Sequence, residues 1–392
     1  MIMESVVIFS TANLYYGNSA AVARMNNYAR ALALANVDVY LLSTDSLDTN
    51  REWMEVEPHI HTLSSENVKI GKFYNPFYVL GLIRKAKKLI KTIKGEVVLL
   101  NYPSTKSLLL DILLLLLCRD YPLFCEVNEV RRYASGSTES IRNRLYCQIL
   151  DRTYRRYNGV VFISRIIQEY YASKVRKSIV VPILSDCNHV FAPSKGLDTL
   201  DFVFVGTVSF PKENLEELFE GFCLFVNEHP EARLILYGIL SESDKRKLEG
   251  FTNKHNIKKQ ISYEGKLQHS DVEKVLSTAG ALLLSRSNNK QNYYGFSTKL
   301  SEYAVSGTPI VMTNTGVVAD YFQDGVNCLM CDGYDRDAFK IKFDELAQMS
   351  VAEKQQMAEN AYKVAQNRFD YRLYSETLKS FFFDQTKYEK TF

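Results

Sequence analysis

At 392 residues the chain exceeds the size at which a single hydrophobic core usually stops growing, so two domains are expected. Hydrophobic residues at 46% and charged ones at 24% exclude a disordered chain, and no tract is both long and apolar enough to cross a bilayer. A net charge of +3 with no recognition motif makes no case for nucleic acid, and seven scattered cysteines make none for a disulfide framework.

The opening segment "MIMESVVIFS" is an apolar strand with an acidic residue ahead of it. It lacks the basic start and cleavage site of a signal peptide, so a cytoplasmic protein is expected. Further strands follow at "VDVYLLS" (37–43), "EVVLLN" (96–101), "PLFCEV" (122–127) and "GVVFIS" (159–164), each separated by helical patterns. The apolar run "SLLLDILLLLLC" (107–118) is short and interrupted by Asp111, so it reads as a core helix. His59 and His61 would share one strand face, and Cys328 and Cys331 have redox or zinc spacing. Neither pair has the further ligands a metal site needs, so no metal is assigned.

After the irregular "FAPSKGLDTL" (191–200) the alternation restarts, with "DFVFVG" (201–206), "ARLILYG" (232–238), "QISYEG" (260–265), "ALLLSRS" (281–287), "PIVMT" (309–313) and "NCLMC" (327–331). Continuous apolar strands alternating with helices predict parallel sheets covered on both faces. The expected organisation is α/β, with a doubly wound domain over 1–197, a second over 198–370, and a helical segment, 371–392, packing back on the first. Ligands bind such sheets beyond the carboxyl ends of the strands. Gly206, Gly238 and Gly265 each follow such an end, so a cleft between the domains is the expected site.

Charge is divided unevenly. Residues 1–197 hold 25 Lys and Arg against 17 Asp and Glu, a balance of +8, and the remainder holds 23 against 28, a balance of −5. Part of the excess lies in "LIRKAKKLIKTIK" (82–94), an amphipathic helix with Arg84, Lys85, Lys87, Lys88, Lys91 and Lys94 on one face. Such a helix is either a solvated face or a contact for an anionic membrane surface.

Two stretches carry chemistry. In "GFSTKLSEYAVSGTPIV" (295–311), Ser297 or Thr298 can cap a short helix, Gly307 suits the left-handed position after it, and Pro309 leads into a strand. The first helical amides lack internal partners and attract an anion such as phosphate, while Glu302, a turn further on, can accept from a ligand's hydroxyls. In "FVGTVSFPKENLEELFEGF" (204–222), a strand ends at Gly206 and Lys212 stands just before a helix. A mobile point charge and fixed amide donors are what a diphosphate leaving group requires. Taken alone, the same residues also fit an ordinary capped helix and a solvated lysine.

Together these stretches resemble the retaining nucleotide-sugar glycosyltransferases of the GT-B fold, glycosyltransferase family 4 (glycosyl transferases group 1). The resemblance spans essentially the whole chain and is most specific in the second half. It implies two Rossmann-like domains facing across a cleft, and it assigns Lys212 to the donor diphosphate through "FVGTVSFPK". It places Phe296, Ser297, Thr298 and Lys299 of "GFSTKLSE" at the donor, with Glu302 on the ribose. It sets Gly17, in "YYGNSAAVARMNNYA" (15–29), against the donor. "SGTPIV" and "DGVNCLM" match the pattern that follows. In three places the chain departs from the family. Tyr294 stands where the first of two glutamates eight positions apart is usual, and Thr207 where an arginine is common. The acceptor loop usually contains histidine, but here "PLFCEVNEVRRYA" (122–134) offers Glu126, Asn128, Glu129, Arg131 and Arg132.

The implied reaction moves a sugar from a nucleoside-diphosphate sugar to an acceptor hydroxyl, with retention, in cell-surface polysaccharide or glycolipid synthesis. Lys212 and Glu129 are the candidate catalytic residues. The donor is a substrate, and no cofactor or metal is expected beside it. The expected partners are the donor, a glycan or lipid-linked glycan acceptor, and an anionic membrane at the inner surface of the cell. Alternatives are a sugar-nucleotide epimerase or phosphorylase of the same fold, and a catalytically inactive nucleotide-sugar-binding protein. An oxidoreductase would need a G-x-G-x-x-G turn after the first strand, which is lacking.

Overall fold

The protein is described from a computed structural model covering residues 3–17, 19–44, 47, 52–63, 76–103, 108–134 and 141–384. The chain divides into two compact units, residues 1–186 with 370–392, and residues 187–369. This division falls ahead of residue 197 because the intervening segment is bonded into the second unit. Ser194 N donates to Gly307 O, Lys195 N to Ser277 O, and the Ser194 hydroxyl to Ala279 O.

The first unit is built on an eight-stranded sheet. In chain order the strands are β1 (Glu4–Ser10), β2 (Asp38–Ser43), β3 (Met54–Glu57), β4 (Ile60–Thr62), β5 (Glu96–Asn101), β6 (Leu123–Val127), β7 (Gly159–Phe162) and β8 (Ser178–Val180). Their spatial order is β3-β4-β2-β1-β5-β6-β7-β8, and every pairing except β3 with β4 is parallel. The hairpin β3–β4 corrects the reading of His59 and His61. His61 lies on β4, but His59 occupies the turn at φ +64°, its ring held by Asp38, so the two do not share a strand face.

The apolar run forms a helix over Leu108–Leu117. Its one acid is turned inward, where buried Asp111 accepts from Asn101 Nδ2 at 3.0 Å and Tyr157 OH shares the same amide at 2.9 Å. Among the described residues no helix is long and apolar enough to cross a membrane. The helix Ser375–Phe383 returns to this unit and packs Phe381 and Phe382 edge-on against Phe124 of β6. Buried Lys177 donates to Phe381 O at 2.9 Å and adds a cation–π contact with the same ring.

The second unit carries a six-stranded, all-parallel sheet: β9 (Asp201–Val208), β10 (Arg233–Leu240), β11 (Ile261–Gly265), β12 (Ala281–Leu284), β13 (Ile310–Thr313) and β14 (Leu329–Cys331). Their order, β11-β10-β9-β12-β13-β14, is doubly wound and reverses between β9 and β12. The loops leaving those two strands therefore diverge and open a crevice where ligands of such sheets bind. Phenylalanines 202, 222, 225 and 343 interlock beneath it, with ring centroids 4.8 to 6.2 Å apart.

Candidate active site

The candidate site of the second unit is built at that reversal. Gly206, near the end of β9, adopts φ +140° and pairs in register with Gly238 of β10 at φ +129°. A side chain is strained at both positions, and at Gly238 it would also run into backbone. A Cβ on Gly238 would lie 1.8 Å from Gly206 O, and one on Gly206 would lie 2.3 Å from Cε of Lys299. Gly265, at the end of β11 with φ +86°, stands one strand further out, with open space where a Cβ would point.

Lys299 begins the helix Lys299–Val305 and sends its side chain back over Gly206. Its ammonium nitrogen lies 3.8 Å from the centroid of the Phe204 ring and 3.5 Å from Oε1 of Glu213. The side chain keeps 16% exposure along its stem, but the nitrogen itself is closed to water. Burial lowers this lysine to about 7. The Glu213 carboxylate opposes the shift, and the charges of Arg286 and Lys212 reinforce it.

Glu213 and Arg286 complete the cluster, and neither was singled out from the sequence. Glu213, in the loop after β9, is 1% exposed. Arg286 stands two residues after β12, and its Nε lies 3.4 Å from Glu213 Oε2. Its Nη2 donates to Ser297 Oγ at 2.9 Å and its Nη1 to Asn292 Oδ1 at 3.3 Å. Asn292 then donates to the carbonyl of Lys212 at 2.9 Å, so the loop carrying Lys212 is tied to the segment leading to Ser297.

The capping expectation is corrected here. Thr298 occupies the N-cap in helical conformation with no side-chain bond to the helix, and the Ser297 hydroxyl accepts from Arg286. At the other end Gly307 takes the left-handed conformation at φ +75°. The Tyr303 hydroxyl pins this helix to β9, accepting from Val205 N at 3.1 Å and donating to its carbonyl at 3.3 Å. Phe296 turns its ring away, stacking on Tyr321 and meeting Phe369 edge-on, so only its backbone is left for a ligand. Glu302 is exposed on the same short helix.

The first unit holds the other candidates at the corresponding strand ends. Gly17 closes the loop after β1, its N donating to Asn13 O at 2.9 Å, and a Cβ there would meet the same oxygen at 2.7 Å. Glu129 is half-buried and paired with Arg131 at 2.7 Å. Glu126 does not offer itself to an acceptor, because its carboxylate is sealed 2.7 Å from Arg24 Nε. Asn128 donates to the Tyr102 hydroxyl, whose burial raises its pKa.

Residues 189–364 match the family model described as glycosyl transferases group 1. No curated protein matches the sequence. Similar solved structures include sucrose-phosphate synthase from Thermosynechococcus elongatus, at 14% identity over 96% of this chain and 98% of that one, with a TM-score of 0.70. HepE from Anabaena in complex with UDP-glucose is 12% identical over 96% and 98%, TM-score 0.70. A trehalose-6-phosphate structure from E. coli bound with UDP-2-fluoro glucose is 13% identical over 99% and 100%, TM-score 0.69. At these identities the likeness shows the fold, GT-B with two Rossmann-like domains.

Proposed function

We propose, for a chain that is a glycosyltransferase of the GT-B fold, that it moves a sugar from a nucleoside-diphosphate sugar to an acceptor hydroxyl with retention. The observation that carries this reading is the enclosed ammonium of Lys299 over the glycine shelf of Gly206 and Gly238, at the reversal of a doubly wound sheet. Breaking the anomeric bond leaves negative charge on the departing diphosphate, and fixed donors count most where charge develops. Lys299 and Lys212 supply the cations, and the backbone of Phe296, Ser297 and Thr298 supplies further donors. Glu302 accepts from the ribose. Gly17 and Glu129 of the first unit remain the donor- and acceptor-side candidates that the family resemblance implies. UDP and UDP-glucose in structures of the same fold make a uridine nucleotide the first donor to try.

The acceptor in this reading is a glycan or lipid-linked glycan of cell-surface polysaccharide or glycolipid synthesis, met at the anionic inner face of a membrane. Support comes from the helix Pro76–Ile90, which exposes Arg84, Lys85 and Lys88, with Phe77 83% exposed near its start. Lys87 leaves the basic face set out above, because its ammonium donates to Leu117 O at 2.7 Å and pairs with Asp120.

Calorimetric titration with UDP, GDP and ADP, followed by product analysis with and without acceptor, tests the reading. Binding with acceptor-dependent transfer supports it. An interconverted sugar nucleotide indicates an epimerase, and binding without turnover indicates that Tyr294 marks an inactive site.

A further inference from the structure

Glu213 faces two cations from different loops. Lys299 Nζ approaches one carboxylate oxygen at 3.5 Å and Arg286 Nε approaches the other at 3.4 Å. Neither approach is a hydrogen bond, for Lys299 Nζ, Arg286 Nε and Glu213 Oε2 are all buried without a hydrogen-bond partner. Lys212 adds a third positive charge close enough to act on Lys299. Two enclosed cations sharing one carboxylate leave an uncompensated positive charge in a poorly solvated place, and such a charge is costly unless an anion joins it. The buried pair Arg24 and Glu126, by contrast, closes to 2.7 Å elsewhere in the chain.

The guanidinium of Arg286 is also held in position. Bonds to Asn292 and Ser297 fix its plane, and it projects from the end of β12, across the sheet reversal from the Gly206 turn of β9. A planar fork with several donors suits bidentate phosphate binding in a way a lysine does not. At the end of β9 itself, Thr207 carries no charge.

We propose that Arg286 is a diphosphate-binding residue of this site and that Glu213 is a positioning carboxylate, holding Arg286 and Lys299 until the anion of the donor takes over. The inference rests on the nucleotide-sugar reading above and adds to it the residue that binds the phosphates and the one that holds the cations in register. The charged and titratable groups facing Lys299 are Glu213, Arg286 and Lys212, with the Tyr303 hydroxyl nearby on the same helix. Removing Glu213 takes away the group that favours its protonated form, and removing Arg286 takes away one that opposes it.

The probes are UDP and uridine, titrated calorimetrically into the full chain between about pH 6.5 and pH 9, where the terminal phosphate is largely ionised. Wild-type affinity for UDP should fall as pH rises through the range in which Lys299 loses its proton. Arg286→Met should bind UDP roughly 10- to 100-fold more weakly, the range for a charge-assisted hydrogen bond, with uridine affinity unchanged. The alkaline fall should move to higher pH in Arg286→Met and to lower pH in Glu213→Gln, opposite shifts that a merely structural role would not produce. Arg286→Gln replaces Arg286→Met should the latter fail to fold. Unchanged UDP affinity in a folded Arg286 variant overturns the proposal, as does an alkaline fall that stays in place in both variants. If the wild-type protein binds none of UDP, GDP or ADP, the nucleotide-sugar reading itself fails and the proposal fails with it.

Discussion

Arg24 and Glu126, from the helix Ala20–Leu34 and from β6, meet at 2.7 Å with both side chains closed to water. Arg24 also donates to the carbonyl of Val181 at 2.7 Å and to the Tyr28 hydroxyl, so one guanidinium joins a helix, a central strand and the segment after β8. Burial pushes the Glu126 carboxyl up, and the arginine pulls it back. Losing one partner would strand a buried charge, which costs about 3–5 kcal/mol. Glu126→Ala should lose that much in urea unfolding followed by the fluorescence of Trp53, the chain's single tryptophan, which lies in the same unit. A loss under about 1 kcal/mol would place the pair among weak surface contacts.

The two glycines of the shelf should respond differently to alanine. At Gly238 the new Cβ would meet backbone, 1.8 Å from Gly206 O, whereas at Gly206 it would meet the flexible end of Lys299. Both positions also carry strained φ for alanine. Gly238→Ala should lower the melting temperature of the second unit markedly. Gly206→Ala should melt closer to wild type and weaken UDP binding instead, by displacing the lysine. Equal melting temperatures and equal affinities in the two variants would contradict this assignment.

Lys299 gives a stability prediction with a definite sign. Its proton is held less tightly in the folded protein, at about 7, than in the unfolded chain, at 10.5. The corresponding stability is therefore present above the unfolded value and lost as pH falls through about 7. Without nucleotide, the melting temperature of wild type relative to Lys299→Met should rise between about pH 7 and pH 10. A difference that stays flat across that range means the ammonium is not enclosed.

Membrane attachment would rest on Arg84, Lys85 and Lys88, with Phe77 entering the interface. Screening shortens to about 8 Å at physiological ionic strength and about 3 Å at 1 M, so such attachment must weaken with salt. Wild type should sediment with anionic but not neutral vesicles at low salt. Replacing the three basic residues by Gln should abolish sedimentation, and Phe77→Ala should weaken it. Indifference to anionic vesicles would leave the helix a solvated face.

The strands that form the two sheet centres were legible because parallel strands buried on both faces are continuous apolar runs, as in "VVIFS" and "DFVFV". The hairpin β3–β4 and the three-residue β8 were not, because they are short and lie toward the sheet edges, where half-exposed polar residues break the pattern. At the site, Gly206, Lys212 and the stretch around Lys299 carried local signals. Arg286 and Glu213 did not, since their meaning comes from strand order. They belong to loops 73 residues apart that adjoin only because β9 lies beside β12. The available hint was an arginine two residues past the end of an apolar strand.

The most direct test of the account is sugar transfer measured with Lys212→Ala and Glu302→Gln beside the wild type, on whichever nucleotide sugar the wild-type protein uses. Lys212→Ala should lose about 10²- to 10³-fold in turnover, the scale for one preorganised donor at a developing charge. Glu302→Gln should instead weaken nucleotide binding by about 1–3 kcal/mol. Wild-type turnover in Lys212→Ala, together with unchanged nucleotide affinity in Glu302→Gln, would contradict the placement of the donor at this site.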